Sequence, residues 1–321
     1  MSVRRLLRGA VAVLAAVGVT ACGASTTTTS PLATSTAQTT KLPGSGRPTV
    51  TIGDKNYTEQ FVLGELYYEA LKAQGFSVQL NRNIGPSEVT LQALQSGRLG
   101  MYPEYIDTWN QTIAGDPRTF KTVGDAVQAG QGYAFAHGLQ LLAPTPFSDT
   151  DAIGVGLDYA VQNGLSTIRD LRKVAQSLTF GAPPQFQQAQ NGLPALEQAY
   201  GFVPAAFKAL EIGGQYQALD QGVVEAADVN TTDGQLTTGN YVLLKDPLKV
   251  LGWGNVVPIA SSKVLQAEGP AFMTTINRVS KLLTLQAIRQ LNAAVDIYNE
   301  DPAAVAQQFL AAHGLAPATT S

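Results

Sequence analysis

The sequence predicts an α/β protein of two lobes, the middle of the chain forming one lobe and its two ends the other. Three observations predict this. An ordered strand–helix–strand–helix–strand pattern opens at Pro48, a second alternation of apolar strands and helical stretches fills the middle, and the chain turns largely helical after Pro258.

Each element follows from local pattern. Val50 and Ile52 alternate with Thr49 and Thr51, which reads as a strand ending at Gly53. Thr58 then serves as N-cap of a helix with two four-spaced rows, Val62, Leu66, Ala70 and Leu63, Tyr67, Leu71, stopped by Gly75. Phe76, Val78 and Leu80 alternate as a second strand. Ser87 to Ser96 is helical and closed by Gly97, and a short strand lies near Gly100–Tyr102. In an open α/β sheet of this kind, ligands bind at the carboxyl ends of the strands. In the middle, Ala152–Gly156 and Leu178–Gly181 read as strands with a helix from about Ser166 between them. Helical stretches near Gly192–Tyr200 and Gln215–Gln221 precede strands at Ala226–Val229 and Tyr241–Lys245. Thr284–Tyr298 carries helical apolar positions, and Asp301-Pro302 opens a last helix that stops at Gly314.

The N-terminus reads as an address. Arg4, Arg5 and Arg8 precede an apolar stretch from Ala10 to Val19. That stretch is too short for a bilayer core, which takes about twenty residues. It ends in Val19-Thr20-Ala21-Cys22-Gly23, which resembles the lipobox of bacterial lipoproteins. The resemblance implies cleavage before Cys22 and lipidation of that cysteine; the other reading is an ordinary secretory signal that contains one. Cys22 is the single cysteine, so no intrachain disulfide is possible. Residues 22–47 are rich in Ser, Thr, Ala and Pro and predict a disordered tether with a reach of roughly 25–30 Å. A glycosylated stalk would occupy the same place. The expected segments are thus a leader (1–21), the tether (22–47), the first lobe (48–148), the second lobe (149–250), a helical return to the first lobe (251–315) and a tail (316–321).

Composition excludes several functions. Without the three leader arginines, 18 basic residues face 24 acidic ones. Nucleic-acid binding, which relies on clustered cations, is not expected. The two histidines, His137 and His313, lie far apart, and there is no cysteine cluster, H-E-x-x-H or EF-hand loop, so neither metal nor cofactor is expected. No G-x-S-x-G, Walker A or G-x-G-x-x-G occurs. Binding, not catalysis, is the default.

Two motifs sharpen that default. Gly53-Asp54-Lys55-Asn56-Tyr57-Thr58-Glu59-Gln60 resembles the G-(S/D)-K-x-(F/Y)-T-E-Q signature of osmoprotectant-binding proteins, the glycine betaine, carnitine and choline receptors of ABC importers. Met101-Tyr102-Pro103-Glu104-Tyr105-Ile106-Asp107-Thr108 resembles their (L/M)-Y-P-E-Y-x-x-T. Thr231-Thr232-Asp233-Gly234 and Gly254-Asn255-Val256-Val257-Pro258 resemble later family segments, so the likeness runs from about Pro48 to Leu315. It implies a type II periplasmic-binding-protein fold, two α/β lobes joined by two crossover strands with a ligand cleft between them. It also implies an aromatic cage for a quaternary ammonium, a ring being worth roughly 0.5–2 kcal/mol, and a separate cluster of carboxylate donors. The partners implied are a small-molecule ligand and the permease subunits with their ATPase. The chain is expected to act as a monomer, held to the outer side of the cell membrane through the lipid on Cys22.

Carried over position by position, the resemblance is uneven. Tyr105 matches a cage tyrosine, and Lys55 and Thr108 match carboxylate contacts. The second cage position falls in Asp149-Thr150-Asp151, so aspartates stand where a ring is expected, and the third is Asn230. The carboxylate-gripping arginine of F-x-x-R-x-D-G is Ala189. Trp253, beside Gly254, supplies a ring near the fourth position. Lysine is only a point charge where arginine forms a bidentate fork. The ligand expected is therefore rich in hydroxyl or amine donors and has no essential carboxylate. Tyr57 and Phe61 read as core, while Trp109, Phe147, Tyr216 and Trp253 stand between core and pocket wall. Asp151 is also a candidate latch to Lys55. Two further readings are a sensor or ligand-presenting lipoprotein and an enzyme on the same scaffold.

Overall fold

The computed structural model describes residues 41–317 except residue 190. The leader, Cys22 and most of the tether lie outside the described residues. The chain runs β1 (Thr49–Gly53), α1 (Thr58–Ala73), β2 (Ser77–Asn81), α2 (Ser87–Gln95), β3 (Met101–Tyr105), α3 (Val123–Ala136) and β4 (Leu139–Leu141). It continues through β5 (Asp151–Gly156), α4 (Leu157–Asn163), β6 (Thr179–Ala182), α5 (Leu193–Tyr200), β7 (Ala206–Ala209), α6 (Gln215–Asp220), β8 (Ala226–Asn230) and β9 (Tyr241–Leu244). Finally come β10 (Val256–Ser261), α7 (Ser262–Glu268), α8 (Pro270–Leu282), α9 (Leu285–Asp296) and α10 (Pro302–Ala312).

These strands form two five-stranded sheets, one per lobe. The first has the order β2-β1-β3-β10-β4 and the second β7-β6-β8-β5-β9. In the first, β1 is parallel to β2 and β3, while β10 runs antiparallel to β3 and β4. In the second, β6 is parallel to β7 and β8, while β5 runs antiparallel to β8 and β9. Each sheet thus contains one reversed strand that brings the chain back across the gap. The two-lobed α/β fold expected from the sequence is present.

The helices pack where their apolar rows require. Both rows of α1 are buried, and with Phe76 they meet Phe272, Ile276, Ile288, Val305 and Leu310 from the C-terminal helices. The ends of the chain therefore share one core. The second lobe has its own, around Ile153, Val155, Phe180, Phe186, Leu196 and Phe202.

Several expectations are corrected. Thr58 is the first helical residue; the extended Tyr57 precedes it and makes no side-chain cap. The helix expected from Ser166 is a short 3₁₀ turn, Ile168–Lys173, opened by a Thr167–Asp170 capping box. The true helix, α4, lies earlier and ends at left-handed Gly164. The chain after Pro258 is helical only from Ser262. Pro258 itself sits in the middle of β10, opposite Pro103 on β3, and its carbonyl accepts from Leu142 N–H at 2.8 Å. A proline normally argues against a central strand, which hid β10 from sequence reasoning. Residues 41–47, assigned by composition to the tether, pack on the first lobe. Gly44 N–H donates to Gln74 O at 2.9 Å, and Arg47 donates to Ala267 O at 2.9 Å.

Two chain segments cross between the sheets and are bonded to each other. Thr145 N–H donates to Val256 O at 2.9 Å and Asp149 N–H to Gly254 O at 3.0 Å. Gly254 N–H donates to Ser148 Oγ at 2.8 Å, and the Asn255 amide donates to the carbonyls of Thr145 and Phe147. A Cβ on Gly254 would overlap the Asp149 carbonyl, so this approach requires glycine.

Candidate functional site

The first-lobe wall of the cleft is built at strand ends. The loop after β1 presents Lys55, and the end of β3 presents Glu104 and Tyr105. Lys55 is buried, and its Nζ is paired with Glu104 and lies 3.2 Å from Ser87 Oγ. Glu104 is wholly buried and also accepts from Tyr105 N–H at 2.8 Å. Both bonds fall on Glu104 Oε1, and Oε2 is buried with no hydrogen-bond partner among the described residues; a buried ion pair depends on such further partners. The same ammonium lies 4.7 Å from the Tyr105 ring centroid. Tyr57 stacks on Tyr105 with centroids 6.2 Å apart. A cavity of ≈ 320 Å³ opens over these groups and is lined by Lys55, Asn56, Tyr57, Ser87, Tyr105 and Thr108, among others. Sequence reasoning placed Tyr57 in the core; it is 39% exposed and belongs to this wall.

From Tyr105 a hydrogen-bond path leads into the second lobe. Its hydroxyl donates to Glu59 Oε1 at 2.8 Å. The Asn292 amide, on α9, donates to Glu59 Oε2 at 3.0 Å and to Thr232 O at 3.0 Å. Arg289, one turn earlier, donates to Thr231 O at 2.7 Å. Gly234 then approaches α9 so closely that a Cβ there would lie 2.6 Å from the Ala293 backbone. The turn Thr231–Gly234 also reaches the crossover, because Thr231 Oγ1 donates to Ser148 O at 2.7 Å.

The second-lobe wall is acidic. Asp149 sits at the crossover, Asp151 starts β5, and Asp228 and Asn230 end β8. In the β5–β8 register Asp151 faces Asn230 and Ile153 faces Asp228. With the period of two along a strand, all four side chains share one face. Burial and the neighbouring Glu59 hold the Asp149 carboxyl well above the usual carboxylate range. Burial raises Glu59, Asp151 and Asp233 as well. Asp228 is pushed up to about 9, first by burial and then by the charges of Asp151 and Asp233. Asp233 accepts from Tyr216 Oη at 2.8 Å and Asn230 N–H at 2.9 Å.

The structure thus brings Lys55, Tyr105 and Thr108 to one cavity and sets Asp149, Asp151 and Asn230 along the opposing strands. Trp253 is placed elsewhere: its indole N–H donates to Phe120 O at 2.9 Å, and Lys249 lies 5.1 Å from its ring centroid. Trp109 and Phe147 are core, and the Lys55 charge goes to Glu104, not to Asp151. Sequence reasoning missed Glu59, Glu104, Asn292 and Asp228. For Glu104, Asn292 and Asp228 the signal is a polar group inside an otherwise buried run, such as the aspartate in Ala226-Ala227-Asp228-Val229, whereas Glu59 follows exposed Tyr57 and carries no such signal. Among the described residues no group of three His, Cys, Asp or Glu side chains is arranged to hold a metal ion.

Two sheets joined by a bonded pair of crossovers, with converging polar groups between them, define a bilobal solute-binding protein. The chain belongs to the family described as the substrate binding domain of ABC-type glycine betaine transport system, whose model matches residues 48–312. That family is a non-enzymatic, extracytoplasmic component of transport. The chain is 28% identical over 284 residues to the glycine-betaine-binding protein of Pseudomonas aeruginosa, covering 83% of this chain and 88% of that one. It is 29% identical over 292 residues to the glycine betaine-binding protein YehZ of Escherichia coli, covering 85% and 93%. Among solved structures, apo YehZ from Escherichia coli superposes with a TM-score of 0.72 at 26% identity, over 83% of this chain and 99% of that one. A crystal structure titled glycine betaine/carnitine/choline ABC transporter gives 0.77 at 24% identity, over 83% and 99%, and supports the fold.

Proposed function

We propose that this protein is the receptor of an ABC importer for a small cationic or hydroxyl-rich solute of the quaternary-ammonium kind, with no essential carboxylate in the ligand. One observation carries the reading: the cations that would grip a carboxylate are absent or already committed. Lys55 is neutralised by buried Glu104, and the position matching the family's arginine is Ala189. The opposing strands add Asp149, Asp151 and Asp228, buried carboxyls that offer a carboxylate no positive partner and that a bound cation would draw toward their ionised form. Stacked Tyr57 and Tyr105 give the cavity the aromatic faces on which an ammonium group gains roughly 0.5–2 kcal/mol per ring.

Lys55, Tyr105 and Thr108 bind from the first lobe, and Asp149, Asp151 and Asn230 close over the solute from the second. The mature chain is held at the outer membrane surface by a lipid on Cys22 and presents its closed form to the permease. Calorimetric titration tests the ligand reading. Choline is expected to bind at least tenfold more tightly than glycine betaine, and Tyr105→Ala to abolish binding. Micromolar glycine betaine binding that is lost in Tyr105→Ala would overturn the preference while keeping the site.

A further inference from the structure

The second-lobe wall holds a carboxylate that nothing in the fold explains. Asp228 is 6% exposed, and its Oδ1 is buried with no hydrogen-bond partner among the described residues. It occupies an apolar strand between Ala227 and Val229 and shares its sheet face with Asp151. The charges that act on it are those of Asp151 and Asp233, all of one sign. Asp233 is already engaged by Tyr216 and Asn230. A buried carboxylate without a partner costs free energy, and a second carboxylate beside it raises that cost. Such an arrangement persists where a ligand supplies the missing donors.

The pair also has a defined position. The parallel β6–β8 register matches Gly181 to Ala227, so Asp228 lies beside the last residue of β6, Ala182. From there the chain enters the Pro184–Gln187 turn and reaches Ala189, the site of the lost arginine. Asp149 stands two residues before Asp151 on the crossover, and on the first-lobe side Glu59 accepts from the Tyr105 hydroxyl at 2.8 Å.

We infer that Asp151 and Asp228 form a subsite for a protonated amine, so that the ligand carries a primary or secondary ammonium at the end remote from the Tyr57–Tyr105 pair. An ammonium brings two or three N–H donors and one positive charge, which supplies a donor to Asp228 Oδ1 and lets both carboxyls ionise side by side. A metal ion is a poorer occupant, because no third ligating side chain is arranged around the pair among the described residues. The solute is then a diamine-like or aminoalkyl-ammonium compound, charged at both ends. This rests on the reading of the cleft as the ligand site.

The test uses three butyl-linked trimethylammonium compounds that end in a primary ammonium, a hydroxyl or a carboxylate. They are titrated by calorimetry into the full-length protein and into Asp228→Asn, Asp151→Asn and Tyr105→Ala. The expected order of affinity is ammonium, hydroxyl, carboxylate, with at least a tenfold gap between the first two. Either aspartate substitution should close that gap, the ammonium compound losing at least tenfold more affinity than the hydroxyl compound loses. Asp151→Asn, at a half-buried strand start, keeps the test valid if Asp228→Asn impairs folding. An unchanged gap in both variants, with all binding still lost in Tyr105→Ala, overturns the amine subsite alone. Failure of all three compounds to bind, or binding that Tyr105→Ala leaves intact, overturns the subsite together with the cleft assignment.

Discussion

The two walls of the cleft handle charge in opposite ways. On the first lobe, Lys55 and Glu104 neutralise each other and are further held by Ser87, the Tyr105 amide and the Tyr105 ring. On the second, Asp151 and Asp228 share a face, and Asp228 Oδ1 is buried with no hydrogen-bond partner among the described residues. A matched buried pair adds rigidity, since neither member gains by moving. An unmatched one is held in a costly state that a ligand can relieve. The first wall is pre-organised and the second is poised, which divides the work of positioning from that of responding.

The contrast makes predictions of opposite sign. The largest effect is expected from Glu104→Leu, which strands the Lys55 ammonium and should cost about 3–5 kcal/mol in denaturant unfolding. A loss under about 1 kcal/mol would show that the pair is not matched as described. Asp228→Asn should instead stabilise the ligand-free protein at pH 8, by about 1–3 kcal/mol. The sign follows from linkage: a carboxyl whose folded pKa is raised favours the native state when protonated. Its contribution is full below the ordinary carboxylate range and is lost as pH climbs toward about 9. The ligand-free melting temperature should therefore fall between pH 5 and pH 8, and Asp228→Asn should flatten that fall. A steeper fall in the variant, or destabilisation at pH 8, would remove the distinction between the walls. The smallest effect is expected where the walls meet. Gly234→Ala places a methyl against the α9 backbone and should weaken solute binding about tenfold, or ~1.4 kcal/mol, with little change in denaturant stability. Unaltered affinity would mean that closure does not need this approach.

Much of this was legible in the sequence because burial leaves periodicity behind. The rows of α1, the opening of the last helix at Asp301-Pro302 and the strand alternation of β1 all reach the structure, with Asp301 accepting the backbone N–H groups of Ala303 and Ala304. Lys55, Tyr105 and Thr108 were found through their motifs and do line one cavity. What was not legible depends on long-range pairing. Glu104 reads as a surface acid until β3 is seen buried on both faces, and Pro258 reads as a strand breaker until its carbonyl meets Leu142. Asp228 is a single letter in an apolar run, and its meaning comes from Asp151, which lies far away in sequence and diagonally across two strands. Trp253 shows the converse: an aromatic beside a motif glycine is drawn to Phe120 by its indole N–H and does not line the cavity.

The bonded crossovers have a mechanical consequence. Two independent linkers would let the lobes shear, twist and rock separately. Because Ser148–Asp149 and Gly254–Asn255 are laced into one ribbon, with Gly254 pressed against the Asp149 carbonyl, those motions collapse onto a single angular coordinate. Dye pairs placed anywhere on opposite lobes should then each report two distances of their own and share one interconversion rate. The importer would receive a binary signal.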